Sequence, residues 1–216
     1  MATWNCGGLS YTQRELCRDL NYDILALTET HDNNSLPAWS NYLRADSAPA
    51  TDRSAGVGLL ISDQVKRCIM HSGCIGSRIV YARVRGDVCN LFVIGIYVPH
   101  SKRSNPSRAE TLDELNTLLL SVSQRDCVVI LGDFNSRLPR STEKLTGRWC
   151  THRYEDDGGK MIMNLMRKNR LVAASTLHQP RRRHTNATFI PRDPRYKPKQ
   201  LDYIICSARW VSSVSS

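Results

Sequence analysis

Apolar residues fall in short blocks along this chain, each closed by polar or turn-forming residues, the pattern that buried strands leave in a sequence. Met1–Asn5 reads as a first strand. DILALTE (Asp23–Glu29) reads as a buried strand ending in an acid, and GVGLLIS (Gly56–Ser62) as another. RIVYARVR (Arg78–Arg85) alternates apolar with polar, as a half-buried strand does. NLFVIGIYVP (Asn90–Pro99) is long and apolar, and Pro99 stops it. CVVILGDFN (Cys127–Asn135) is a core strand that runs straight into polar residues, and LVAAS from Leu171, Thr188–Ile190 and Leu201–Cys206 follow as later strands. Helices are marked by their caps. Thr12 with Glu15 forms a capping box over a helix carrying Leu16 and Leu20. Ser107 with Glu110 forms a second, placing Leu112, Leu115, Leu119 and Val122 on one face. Met161, Ile162, Leu165 and Met166 are spaced as the buried face of a third helix. Strands in succession, interrupted by helices, predict an α/β sandwich and not a strict βαβ array. With no repeat and no linker, one domain over residues 1–216 is expected. The long loops Asp32–Ser54 and Ser136–Gly158 stand out, because long loops in compact domains are often functional.

Composition adds exclusions. At 216 residues with 41% hydrophobic and 23% charged positions, the chain can bury a core of ordinary globular kind. No apolar run approaches the ~20 residues of a membrane span, so no membrane partner is expected. The opening residues MATWNCGGLS lack the features of a signal peptide, which predicts an intracellular protein. Eight scattered Cys without a CxxC support neither zinc nor a disulfide framework. Cys68, Cys89, Cys127 and Cys206 lie in apolar surroundings and are expected as buried free thiols. Net charge is +10, and its distribution matters more than its size. Between His178 and Gln200, seven basic residues (Arg181, Arg182, Arg183, Arg192, Arg195, Lys197, Lys199) face one acid, Asp193. Such a block attracts polyanions, and Tyr196 within it has a face on which a base can stack.

The polar residues at strand ends carry the chemistry. Asn5 ends the first strand, Glu29 the second, and Asp133 with Asn135 the core strand. Tyr97 sits near the end of its strand, and Asp202 lies inside an apolar run where a carboxylate needs a partner. Carboxylates and amides without a His/Cys set suit a hard, oxygen-loving cation such as Mg²⁺, which takes one or two protein carboxylates and leaves positions for water and phosphate oxygens. That donor set points to phosphodiester chemistry.

TWNCGGL, ALTET, GVGLLIS, IYVP, LGDFN and QLDYI stand here in the order found in the endonuclease/exonuclease/phosphatase superfamily. The chain resembles most the apurinic-type endonuclease domain of non-LTR retrotransposons, from Thr3 to about Ile205. The resemblance implies a four-layer α/β sandwich of the DNase I-like kind, two packed mixed sheets flanked by helices. It implies that Glu29 ligates Mg²⁺ (or Mn²⁺) with Asn5 supporting that site, that Asp133 positions or deprotonates the attacking water, and that Asn135, Tyr97 and Thr188 contact phosphate. Asp202 would accept a hydrogen bond from the imidazole of a Ser-Asp-His motif on a further strand. His31, His71, His100, His152, His178 and His184 all precede Asp202, so the expectation is a domain lacking its last strand and impaired in activity.

The function expected is therefore a DNA endonuclease that nicks double-stranded DNA to leave a 3′-hydroxyl that primes reverse transcription. A reverse transcriptase domain of the same polyprotein is the expected partner, and a nuclear location follows from that role and from Arg181–Arg183. Arg181, Arg182 and Arg183, with the Ser136–Gly158 loop, are candidates for DNA contact. Two other readings are a catalytically dead, basic nucleic-acid-binding remnant and a phosphoinositide or sphingolipid phosphodiesterase of the same superfamily. The latter is disfavoured because QLDYI stands where that branch carries a Trp-Cys-Asp-Arg signature.

Overall fold

The computed structural model describes residues 1–10, 22–31, 42–45, 56–100, 106–179 and 186–214. The expected Thr12/Glu15 helix, most of the Asp32–Ser54 loop and Arg181–Arg183 lie outside them. The chain forms two compact units, residues 1–97 with 122–133 and residues 98–121 with 134–216.

The first unit is a sandwich of two mixed sheets. One holds β1 (Ala2–Asn5), β2 (Ile24–Thr28), β3 (Tyr42–Arg44) and β4 (Val57–Ile61) in the order β1-β2-β4-β3. β1 runs parallel to β2, with Asn5 opposite Thr28, while β4 is antiparallel to both of its neighbours. The other sheet has β5 (Ile69–Ile75), β6 (Ile79–Val84), β7 (Leu91–Tyr97) and β8 (Cys127–Asp133) side by side. β5, β6 and β7 are antiparallel, and β8 returns parallel to β7, with Tyr97 opposite Asp133. The sheets pack face to face, β1 against β8, β2 against β7 and β8, and β4 against β6 and β7. β2, β7 and β8 are buried on both faces, which is why they read as continuous apolar runs and not as alternating ones. A four-residue helix, α1 (Asp63–Lys66), is capped by Ser62.

In the second unit, α2 (Pro106–Ser121) packs on α3 (Asp157–Lys168), and α3 on β9 (Leu171–Ala173), which pairs antiparallel with β10 (Asp202–Ser207). Two mixed sheets with accompanying helices match the expected DNase I-like α/β class.

Several details differ from expectation, each for a local reason. β3 and β5 were not anticipated: β3 has three residues, and IMHSGCI is an edge strand with no fully buried residue, its apolar residues confined to its two ends. Thr188–Ile190 is no strand. It forms one bridge, Phe189 to Lys199, and Pro191, Pro194 and Pro198 deny the segment the N–H groups of a ladder. The buried face of α3 is Ile162, Met163, Leu165 and Met166, and Met161, one position off that stripe, is exposed. α2 begins at Pro106, so Ser107 stands inside its first turn and not at the cap, and Val122 lies past its end. Pro at a first helical position costs nothing, since its missing N–H would have no intrahelical acceptor. Of the four thiols expected to be buried, only Cys206 is: Cys68 is exposed, and Cys89, in the bend before β7, and Cys127, at the start of β8, are half-buried.

Candidate active site

In the first unit the strand ends bring predicted residues together. The Asn5 amide donates from Nδ2 to Oδ2 of Asp133 at 3.0 Å, joining the C-terminal end of β1 in one sheet to that of β8 in the other. The same Asn5 accepts the Gly7 N–H through Oδ1 at 3.2 Å. A backbone N–H can only donate, so this contact fixes which face of the amide points at Asp133. Asp133 is buried, and Tyr97, also buried, is its register partner across the parallel β7–β8 pair. Register partners share a face of the sheet, so phenol and carboxylate project to the same side.

Glu29 follows β2 directly, one residue beyond the partner of Asn5, and is half-buried. Its φ of 52° lies in the left-handed region, uncommon for a residue with a side chain. Backbone bonds hold it there. Gly8 N–H donates to the Glu29 carbonyl at 2.7 Å, Leu9 N–H to that of Thr30 at 2.8 Å, and Thr30 N–H to Gly56 at 3.2 Å. Strained backbone held in place by its neighbours is common at functional sites. Gly8 and Leu9 of TWNCGGL thus supply the backbone donors that hold the Glu29–Thr30 turn. Gly132 of LGDFN has a different reason: a Cβ there would stand 1.9 Å from the Ile96 carbonyl oxygen, so only glycine lets β8 lie this close to β7.

Asn135 and Asp202 are positioned in the second unit. Asn135 has φ 46° and donates from Nδ2 to the Val98 carbonyl at 3.0 Å. Its own carbonyl accepts from Nη2 of Arg108 at 3.0 Å. That arginine, only 7% exposed, also gives Nε and Nη2 to the Pro99 carbonyl at 3.0 and 2.7 Å. One guanidinium therefore clamps the segment after Tyr97 and the segment after Asp133. Arg108 was missed in the sequence, although it lies one helical turn before Leu112 and so on the buried face of α2. The clamp needs room at the start of α3: a Cβ on Gly158 would be 2.2 Å from Arg108 Nη1. Asp156 caps that helix by accepting the Gly159 N–H at 2.8 Å and ties it to the Arg137 N–H at 3.2 Å.

Thr188 is exposed, and its Oγ1 accepts the N–H groups of both Leu201 and Asp202, at 3.0 and 3.1 Å. Both lone pairs are then engaged, which leaves its O–H to donate outward, to an anion for instance. Asp202 itself is buried at the start of β10. Tyr203 beside it donates to the Gln200 carbonyl at 2.8 Å and accepts from Leu138 N–H at 3.1 Å. Burial pushes its phenol well above the usual range. Its ring meets Phe134 edge to face at 6.0 Å, so QLDYI and LGDFN are also packing partners. After Thr188 the chain makes a hairpin closed by reciprocal Phe189–Lys199 backbone bonds at 2.8 Å. It exposes Phe189, Ile190 and Tyr196 together with Arg192, Arg195, Lys197 and Lys199.

For Mg²⁺ the donor set is hard oxygen. Among the described residues no three His, Cys, Asp or Glu gather as a cage. An ion that takes one or two carboxylates and fills its remaining positions with water fits Glu29 as ligand. Asn5, with both amide groups engaged, fits as support.

Two packed mixed sheets with acid, amide and phenol at the ends of buried strands define a DNase I-like hydrolase. The chain belongs to the Endonuclease/Exonuclease/phosphatase family, whose model matches residues 2–216. Among solved structures it is similar to a 3′ phosphatase, NExo, from Neisseria bound to product DNA hairpin, at 17% identity and TM-score 0.67 over 99% of this chain and 88% of that one. It is also similar to an AP endonuclease from Archaeoglobus fulgidus, at 19% and 0.66 over 98% and 89%. A third is the endonuclease domain of TRAS1, a telomere-specific non-LTR retrotransposon, at 12% and 0.64 over 99% and 87%. At these identities the likeness is one of fold. Among curated proteins the chain is 30% identical, over its whole length, to craniofacial development protein 2 of Bos taurus, and it spans 37% of that protein.

Proposed function

We propose that this chain is a Mg²⁺-dependent DNA endonuclease that nicks duplex DNA, and the observation that carries the reading is the Asn5–Asp133 hydrogen bond at 3.0 Å. A buried carboxylate with an imposed orientation at a strand end is suited to take a proton from an attacking water. In this reading the water oxygen bonds to phosphorus while Asp133 receives its proton. The bond from phosphorus to the 3′ oxygen breaks, and that oxygen takes up a proton to leave a 3′-hydroxyl and a 5′-phosphate. By the roles the family resemblance implies, Tyr97, Asn135 and Thr188 donate to phosphate oxygens and Asp202 orients a proton-bearing group. Mg²⁺ held by Glu29 supplies electrostatic stabilisation of charge on phosphate and leaving oxygen. The exposed basic and aromatic hairpin favours a nucleic acid over a single phosphorylated headgroup.

Motif order and the fold shared with the TRAS1 domain support a finer proposal, a retrotransposon-type nuclease whose 3′-hydroxyl primes reverse transcription in the nucleus beside a reverse transcriptase domain. The activity and partners of the longer craniofacial relatives belong to the same level of proposal.

The test is nicking of supercoiled plasmid in Mg²⁺ and in EDTA, with Glu29→Ala run beside the wild type. Weak Mg²⁺-dependent nicking that Glu29→Ala abolishes is the expected result. A folded sample that binds plasmid in EDTA and never nicks it in Mg²⁺ overturns the enzyme in favour of a binding module.

A further inference from the structure

The link between His152 and Gln200 has no part in the reading above. His152 Nε2 stands 3.1 Å from both the backbone N and the backbone O of Gln200, a residue 1% exposed. Two tautomers are open to the ring, and hydrogen-bond accounting chooses between them. The Gln200 carbonyl already accepts from Tyr203 Oη at 2.8 Å, whereas the Gln200 N–H has the ring nitrogen as its acceptor. Only the neutral ring with its proton on Nδ1 satisfies both groups, and a buried N–H without an acceptor is costly. Gln200 Oε1 in turn accepts Thr151 N–H at 3.2 Å. His152 and Thr151 thus hold the entry to β10 from the loop between Ser136 and Gly158. One and two residues further on, the N–H groups of Leu201 and Asp202 converge on Thr188 Oγ1.

We propose that neutral His152 is a positioning residue that fixes the start of β10 and, through it, the Thr188 hydroxyl and Asp202. Its effect on activity rests on the endonuclease reading; its effect on structure does not. Among the described residues, the charged groups around the ring are Arg137 and Lys199, which disfavour an imidazolium, and Asp156, which favours one but is itself 3.4 Å from Arg137 Nε. Burial is the largest influence and lowers the affinity of His152 for a proton below the ordinary imidazole value, outweighing the Gln200 carbonyl at 3.1 Å, which favours the charged ring. The unfolded chain therefore binds this proton more readily than the folded one. The contribution of the link is full above pH about 6.5 and is lost as pH falls below it through the lower folded value.

The experiment compares amide hydrogen exchange at Gln200, corrected for intrinsic rate, at pH 7.5 and 5 in the full chain, His152→Gln and His152→Leu. In the wild type, protection of Gln200 falls by about tenfold or more on acidification, the effect of removing a buried acceptor. His152→Gln retains a non-titrating acceptor and keeps its protection at both pH values, whereas His152→Leu loses it at both. Unchanged protection in the wild type, or a fall in His152→Gln equal to that in the wild type, overturns the proposal, and the latter comparison stands even where His152→Leu fails to fold. Plasmid nicking over the same range is the second readout, with an acid-side loss in the wild type that His152→Gln lacks. Absence of nicking in every sample overturns the endonuclease reading, and the exchange result still decides the role of His152.

Discussion

Asn5 shows how much a single side chain decides at the residue scale. Its amide is polarised from both sides, by Gly7 N–H and by Asp133, so Asn5→Ala removes an oriented donor to a carboxylate and leaves space. Hydrogen bonds to charged groups contribute about 1.5–3 kcal/mol. We therefore expect Asn5→Ala to lower the rate of Mg²⁺-dependent nicking by about 10- to 100-fold at unchanged circular dichroism, measured as initial rate. Tyr203→Phe tests the opposite balance. It strips an acceptor from the buried Leu138 N–H and a donor from the Gln200 carbonyl, at about 1–3 kcal/mol of stability, measured by urea denaturation. The sequence already marked Asn5, Glu29, Tyr97, Asp133 and Asp202, because a polar residue that closes an apolar run is conspicuous. Arg108 was not legible. An arginine on a helix face looks like any solvated arginine until the carbonyls it bonds, Pro99 and Asn135, are brought to it by the segments after Tyr97 and after Asp133.

At the scale of elements, legibility follows burial. β2, β7 and β8 are buried on both sides and announce themselves as apolar runs, whereas β3 and β5 lie at sheet edges, have no fully buried residue and leave no continuous apolar run. Strand ends are set by close approach, which no pattern of hydrophobicity records. Gly132→Ala places a methyl group against the Ile96 carbonyl, and backbone cannot rotate aside as a side chain can. We expect a loss at the upper end of the about 1–3 kcal/mol usual for overpacking, with β7 and β8 the first amides to lose protection in hydrogen exchange. The thiols report the same hierarchy. Cys150 donates to the Leu138 carbonyl at 3.1 Å, and burial pushes its thiol and that of Cys206 up, so both stay protonated and shielded at neutral pH. Among the described cysteines, native alkylation followed by mass spectrometry should label Cys68 first and leave Cys150 and Cys206 unmodified until denaturant is added.

On the scale of the whole molecule, the net charge of +10 was legible from composition, but which cations are free to meet a polyanion was not. Arg195 is held by Asp193 through contacts of 3.0, 3.0 and 2.6 Å, while Arg192 and Lys197 stand exposed on the same hairpin. A cation already neutralised by a neighbouring carboxylate displaces fewer counterions when it meets a phosphate, because the pair must first be opened. Binding of duplex DNA in EDTA, followed as the logarithm of affinity against the logarithm of salt, separates the two kinds of residue. Each phosphate contact contributes a slope of about 0.9 in magnitude. Arg192→Ala and Lys197→Ala should each flatten the line by about that amount, and Arg195→Ala by clearly less. Equal slopes in all three variants and the wild type would place the duplex elsewhere on the surface. A flattening largest in Arg195→Ala would mean that Asp193 yields its partner to DNA, so that the hairpin rearranges on binding instead of meeting the duplex already formed.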